Sequence, residues 1–200
     1  LTAGRHAYWN SLIDYKFITV DFTDIIIPES IDVALYNNAA LRQYIRVFEV
    51  AVYEKAIMIV NDKYAKTLEH GTYHFWRNDK TIKIAKADLR QLQLEVSGQE
   101  LLTKDKATVR INFYAQYKVS NIETALMQNK DYEKQLYITL QLALRAFVGA
   151  YTLDELLEQK ETIANAVLQD VKTQASKLGV TVLYTGIRDV ILPGDMKEIM

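Results

Sequence analysis

Two histidines four residues apart, His70 and His74, are the pair in this chain whose spacing most resembles a site. On a helix that spacing turns two imidazoles onto one face, an arrangement zinc sites use. Here Gly71 lies between them and reads as a turn, and the residues after it read as a strand, so helical register is lost. His6, the third histidine, belongs to a repeated segment whose second copy has Tyr73 at that place. No Gly-x-Ser-x-Gly elbow occurs, and Ser11, Ser30, Ser97, Ser120 and Ser176 fall in turns, caps or a helix. The 7 glycines are scattered and form no phosphate-cradling loop. With 0 cysteines there is no thiolate nucleophile, disulfide or thiolate metal site. No catalytic residue, metal or cofactor is therefore assigned. The charged residues left to explain are Asp105-Lys106, Arg188-Asp189 and the acidic run Asp154, Glu155, Glu158 and Glu161. That run reads as a solvated helix face.

Composition narrows the classes further. The chain of 200 residues is 50% hydrophobic and 24% charged, which suits a folded domain with a real core. A net charge of −1 supplies no basic field for nucleic acid. No apolar run approaches the roughly 18–20 residues of a membrane-spanning helix.

A repeat organises the N-terminal part. Leu1–Phe22 aligns without a gap on Leu68–Leu89, an offset of 68 − 1 = 67 residues, with Leu1/Leu68, Gly4/Gly71, Trp9/Trp76, Lys16/Lys83 and Asp21/Asp88 identical. Both tryptophans of the chain sit in this Gly-x-x-x-x-Trp unit. The first copy begins mid-unit, so the chain is expected to be part of a longer one. Trp9 and Trp76 are expected to anchor their hairpins, with insertion at a membrane interface as the alternative.

Alternation predicts strands at Ile13–Phe17, Val47–Val52, Ala56–Val60, Tyr64–Leu68, Ile82–Ile84 and Leu92–Val96, with turns at Glu54-Lys55, Asn61-Asp62 and His70-Gly71. A short helix is expected within Ser30–Tyr44. The clearest strand is Thr108–Val119, whose face of Val109, Ile111, Phe113, Ala115, Tyr117 and Val119 alternates with Arg110, Asn112, Gln116 and Lys118. Helices follow: a short one from Asn121 to Gln128, one over Tyr132–Phe147 stopping at Gly149, and a capping box at Thr152–Glu155. Ile163, Val167, Val171, Ala175 and Leu178 then stripe a long helix ending at Gly179. A last strand, Val180–Leu192, carries a bulge expected at Gly186. The fold class read from this order is α+β: an N-terminal β-hairpin meander, partly duplicated, then a β-α-α-β unit with helices on a mixed sheet.

Gly98–Lys106, the strand through Tyr117-Lys118-Val119, the capping box, and the segment from Gly186-Ile-Arg-Asp through Pro193-Gly-Asp-Met-Lys resemble the stomatin/prohibitin (SPFH, Band 7) superfamily, most closely its slipin, or stomatin-like, branch. The resemblance runs from about Val47 to Met200. It implies residues 1–44 as a partial extra hairpin copy with a linking helix. Residues 45–200 would be an SPFH/Band 7-like domain cut at the start of a C-terminal helix. It further implies a non-enzymatic scaffold that self-assembles as a homo-oligomer, through a coiled coil further on, and organises membrane lipid or partner membrane proteins such as a channel. The alternative is a regulatory subunit of a membrane protease. The cytoplasmic face of a membrane is the implied location, peripheral or anchored by other segments, with a soluble cytoplasmic protein as the other option. Asp105 and Lys106 opening the central strand, and Arg188 and Asp189 in the closing one, are the expected structural or interface residues, beside Trp9 and Trp76. Arg188 and Asp189 are expected to pair with each other or to face a partner.

Overall fold

The computed structural model describes Ala7, Asp14 and residues 17–192. The chain divides into two compact units, residues 1–48 with 72–81, and residues 49–71 with 82–200.

In the first unit, strands β1 (Ile45–Val50) and β4 (Gly71–Trp76) pair as a two-stranded sheet. A single bridge between Ile26 and Phe75 adds the preceding segment at its side. Ile27, Ile31, Ile45 and Trp76 form the core, with Tyr36 and Leu41 packed on it. Where one helix is predicted within Ser30–Tyr44, the chain makes a 3-10 turn, Val33–Asn37, and one α-turn, α1 (Ala39–Arg42). Two consecutive caps explain the break. The Asp32 side chain accepts from Ala34 N–H and the Asn38 side chain from Ala40 N–H, so each cap starts its own short turn. Ile13 and Tyr15, in the strand predicted for the first repeat copy, lie outside the described residues, as do His6 and Trp9. Phe17 is exposed and in no strand.

In the second unit, β2 (Glu54–Val60), β3 (Lys63–Leu68) and β5 (Ile82–Asp88) form an antiparallel sheet ordered β3-β2-β5. The β2–β3 turn is Asn61-Asp62, both left-handed at φ 50 and 59, the backbone a tight hairpin turn demands. The turn predicted at Glu54-Lys55 instead lies at Val52-Tyr53. Glu54 is already in β2, and its carboxylate closes the turn by accepting from Ala51 N–H at 3.0 Å.

The larger sheet is ordered β6-β7-β8, from β6 (Leu92–Leu102), β7 (Thr108–Val119) and β8 (Val180–Ile191). Both of its ladders are antiparallel, as are those of the β3-β2-β5 sheet, so the expected mixed sheet is not formed. The chain passes from β7 to β8 through helices that return it to the same end, and β8 runs back along β7. Alternate β7 residues Val109, Ile111, Phe113, Ala115, Tyr117 and Val119 are all buried. Against them pack α2 (Tyr132–Val148) and α4 (Lys160–Lys177), through Leu136, Leu140, Leu144, Ile163, Val167 and Val171. Between them, α3 (Leu153–Glu158) is a single short helix.

The turn predicted as a short helix at Asn121–Gln128 is π-helical over Thr124–Gln128. Gly179, at φ +76, is wedged beneath it: a Cβ there would stand 2.4 Å from Asn121 O and 2.7 Å from Ala125 N. Gly98, at φ +66, has open space around it. Gly179→Ala therefore meets both a backbone clash and an unfavourable left-handed φ, and is expected to cost about 2–5 kcal/mol, against about 1–2 kcal/mol for Gly98→Ala. Urea denaturation of the two variants measures the difference.

Candidate functional site: the Asp105 clasp and the Arg188 face

The loop joining β6 to β7 spans Thr103–Ala107. Thr103 N–H donates to Ala107 O and Lys106 N–H to Thr103 O, both at 3.0 Å, and Ala107 N–H donates to Thr103 Oγ1. This tight path forces Lys106 to φ 68, a left-handed value uncommon outside glycine. Its side chain is exposed. Asp105 then does two things. Its carboxylate accepts the Thr103 hydroxyl, and it reaches 48 residues along the chain to accept Leu153 N–H at 3.2 Å.

Leu153 is the first residue of α3, and helix starts leave backbone N–H groups without partners. The local capping box serves two of the donors there: Glu155 Oε2 accepts from Thr152 N–H at 2.8 Å, and Thr152 Oγ1 from Glu155 N–H at 3.4 Å. Leu153 N–H between them is served from outside by Asp105. Lys104 N–H to Tyr151 O, 2.8 Å, adds a second tie. The hairpin loop is thus clasped to the α2–α3 connection. The Thr103 hydroxyl, then Leu153 N–H, holds the Asp105 carboxyl below the usual aspartate range.

The outward face of the larger sheet is the second candidate. Its residues form rows across the three strands. Arg110 pairs with Glu100 at 2.6 Å. Asn112 accepts Gly98 N–H at 2.9 Å and donates to Asp189 at 3.4 Å. Arg188 reaches Glu95 at 3.0 Å, with its guanidinium 5.9 Å from the Tyr114 ring centre. Arg188 and Asp189 are therefore not a pair: each finds its partner on another strand. Gly186 is no bulge either. It pairs with Tyr114, whose ring lies over it, so a Cβ would come within 2.7 Å of the ring. The extra residues of β8 are Leu183 and Arg188, which fall at the two register shifts.

On the inward face Tyr117 is fully buried and donates to Glu133 of α2 at 3.1 Å. Burial, then the neighbouring Glu133 charge, pushes this phenol well above the ordinary tyrosine value. Trp76 is 0% exposed in the core of the first unit, its ring 4.9 Å from that of Phe22. The His74 ring lies tilted against that of Tyr36, 4.8 Å between centres. Among the described residues no His, Asp or Glu side chains group as a metal site. An open groove of roughly 700 Å³ runs beside Lys55, Thr67, Lys118, Ser120 and Glu123, but Glu123 is engaged by Tyr64 at 3.1 Å and Lys55 by Glu69 at 2.6 Å.

Residues 48–200 match the family described as "SPFH domain / Band 7 family", and the chain belongs to that family. It is 35% identical over 114 residues to a stomatin homologue of Pyrococcus horikoshii, covering 56% of this chain and 42% of that protein. Stomatin-4 of Caenorhabditis elegans is 30% identical over 115 residues, 58% of this chain and 41% of its own length. Mechanosensory protein 2 of the same nematode is also 30% identical over 115 residues, which is 24% of that protein. The chain thus spans well under two thirds of these relatives.

The clasp predicts a pH dependence. Because the folded Asp105 pKa is depressed, its contribution is present above the unfolded aspartate value near 3.9 and fades as pH falls through the lower folded value. Asp105→Ala is expected to melt below the parent at pH 7, and the gap is expected to narrow below pH 4. Paired thermal melts across that range check it; a gap constant with pH rules the carboxylate out.

Proposed function

We propose that this chain is the SPFH module of a non-enzymatic, stomatin-like scaffold, which self-assembles at a membrane and organises lipid or partner membrane proteins there. The observation that carries the reading is the family match over residues 48–200, together with relatives named as stomatin homologues and as a mechanosensory protein. No described helix is long and apolar enough to cross a membrane, so attachment in this reading comes from the surface or from segments other than those described. The mechanism is multivalent: weak contacts between domains become effective once another element holds the copies together.

Side-chain use supports the same reading. Three of the polar residues marked out in the sequence bind strands and helices of their own domain, Asp105 to α3, Arg188 to β6 and Asp189 to β7, while Lys106 is exposed. Such a surface presents a fixed shape rather than a reacting group.

Light scattering and liposome flotation of the full-length protein test the proposal. A large homo-oligomer that floats with vesicles is the expected result. A monomer that stays in the soluble fraction would overturn it.

A further inference from the structure

Helix α2 carries a self-complementary row on its outer side. Its inner side is Leu136, Leu140, Ala143, Leu144 and Val148. At 3.6 residues per turn the opposite direction holds Ile138, Leu142 and Arg145, with Asp131 at the cap in line with them. Ile138 is 44% exposed and Leu142 57%, where an amphipathic helix ordinarily carries charge. They lie one turn apart, and exposed Ala146 continues the row, so the apolar surface is contiguous. Asp131 precedes Ile138 by seven residues and Arg145 follows it by seven, about 10 Å each way at the helical rise. Both are exposed, and among the described residues no ion pair engages either.

A row with an apolar centre, an anion at one end and a cation at the other is complemented by the same row running the opposite way. About a two-fold axis at Ile138, Asp131 of each copy meets Arg145 of the other, Ile138 meets Ile138, and the Lys134 stem lies over Leu142. Parallel pairing would set like charges together. We infer that the outer side of α2 is a self-association surface, occupied by α2 of a second copy in antiparallel orientation; this rests on the self-assembly reading above. Two aliphatic side chains and two ion pairs are far less than the roughly 1,000 Å² a standalone interface needs. The contact is accordingly one weak link among several, made effective by whatever else tethers the copies.

The described chain has no cysteine, so an introduced thiol in a cysteine-free full-length protein reports its own neighbour. Ile138→Cys is expected to give a disulfide-linked dimer under mild oxidation. Leu142→Cys is expected to react at least about tenfold more slowly, since its copies lie about 12 Å apart along the axis, beyond disulfide reach. Adding Arg145→Glu to Ile138→Cys is expected to slow cross-linking about tenfold by opposing Asp131, whereas Arg145→Lys leaves it within about twofold. Thermal melts establish that each variant is folded. Equal cross-linking at 138 and 142 overturns the antiparallel contact. An oligomer by light scattering with no cross-link at either position overturns the α2 surface and leaves the scaffold reading standing. A monomer overturns both.

Discussion

The inward face of β7 must be kept dry, and most of the second unit is arranged to do so. Six consecutive alternate side chains, from Val109 to Val119, are buried there. Fully burying one large apolar side chain contributes about 1.5–3 kcal/mol, whereas an exposed ion pair contributes about 0–1 kcal/mol. The six ion pairs of the described residues therefore cannot compete with that one face in fixing the fold. Helices α2 and α4 take their positions from it, and the polar groups drawn into this layer are satisfied locally. Tyr117 donates to Glu133, and buried Thr185 donates to Ala164 O of α4 at 2.7 Å. Leaving either donor unpaired would cost more than the bond itself contributes.

With the inward face committed, the outward face and the edges are what remain for other molecules. Three of the four edge strands are interrupted, while β5 pairs with β2 in unbroken register. In β3, Ala65 is an extra residue opposite β2; in β6, Ser97-Gly98 stand against one β7 residue; in β8, Leu183 and Arg188 are extra. Bulges twist an edge and break the row of free N–H and C=O groups that another strand would need. Association by strand addition is therefore disfavoured at the β3, β6 and β8 edges, whereas β5 keeps a regular row. The Arg188 bulge also has a local effect. The two-for-one register at Asn112 and Phe113 lets Arg188 share the outward face and reach Glu95 across β7.

What the sequence made legible is what its own neighbours decide. The alternation of β7, the Thr152–Glu155 capping box and the Gly149 stop depend on residues within a few positions, and all three occur where predicted. Partners far along the chain were out of reach. Asp105 meets Leu153 from 48 residues away and Arg188 meets Glu95 from 93. The tasks of Gly179 and Gly186 are set by Asn121 and Tyr114, which come near only once helix and register are known. A glycine breaking an alternating pattern suggests a bulge at Gly186, whereas its actual constraint is the ring above it. The two-turn break within Ser30–Tyr44 is local in origin, since Asp32 and Asn38 each cap a short turn of their own.

The carboxylates sharpen what such a domain does with its charge. Asp21, Glu54, Asp88, Asp105 and Glu155 are all pushed down, each chiefly by a hydrogen bond it accepts. A carboxyl serving as a general acid at neutral pH needs the opposite shift, from burial or a like charge beside it. Tyr117 and Tyr132 are pushed up chiefly by burial, Tyr184 by its bond to Tyr114, and Arg90 by its bond to Asp88. Hydrogen bonds that stabilise a carboxylate's charge fix backbone geometry and leave little proton affinity for chemistry. Asp105 shows the consequence most directly: its carboxylate accepts from Thr103 and Leu153, and so ties the β6–β7 loop to the start of α3.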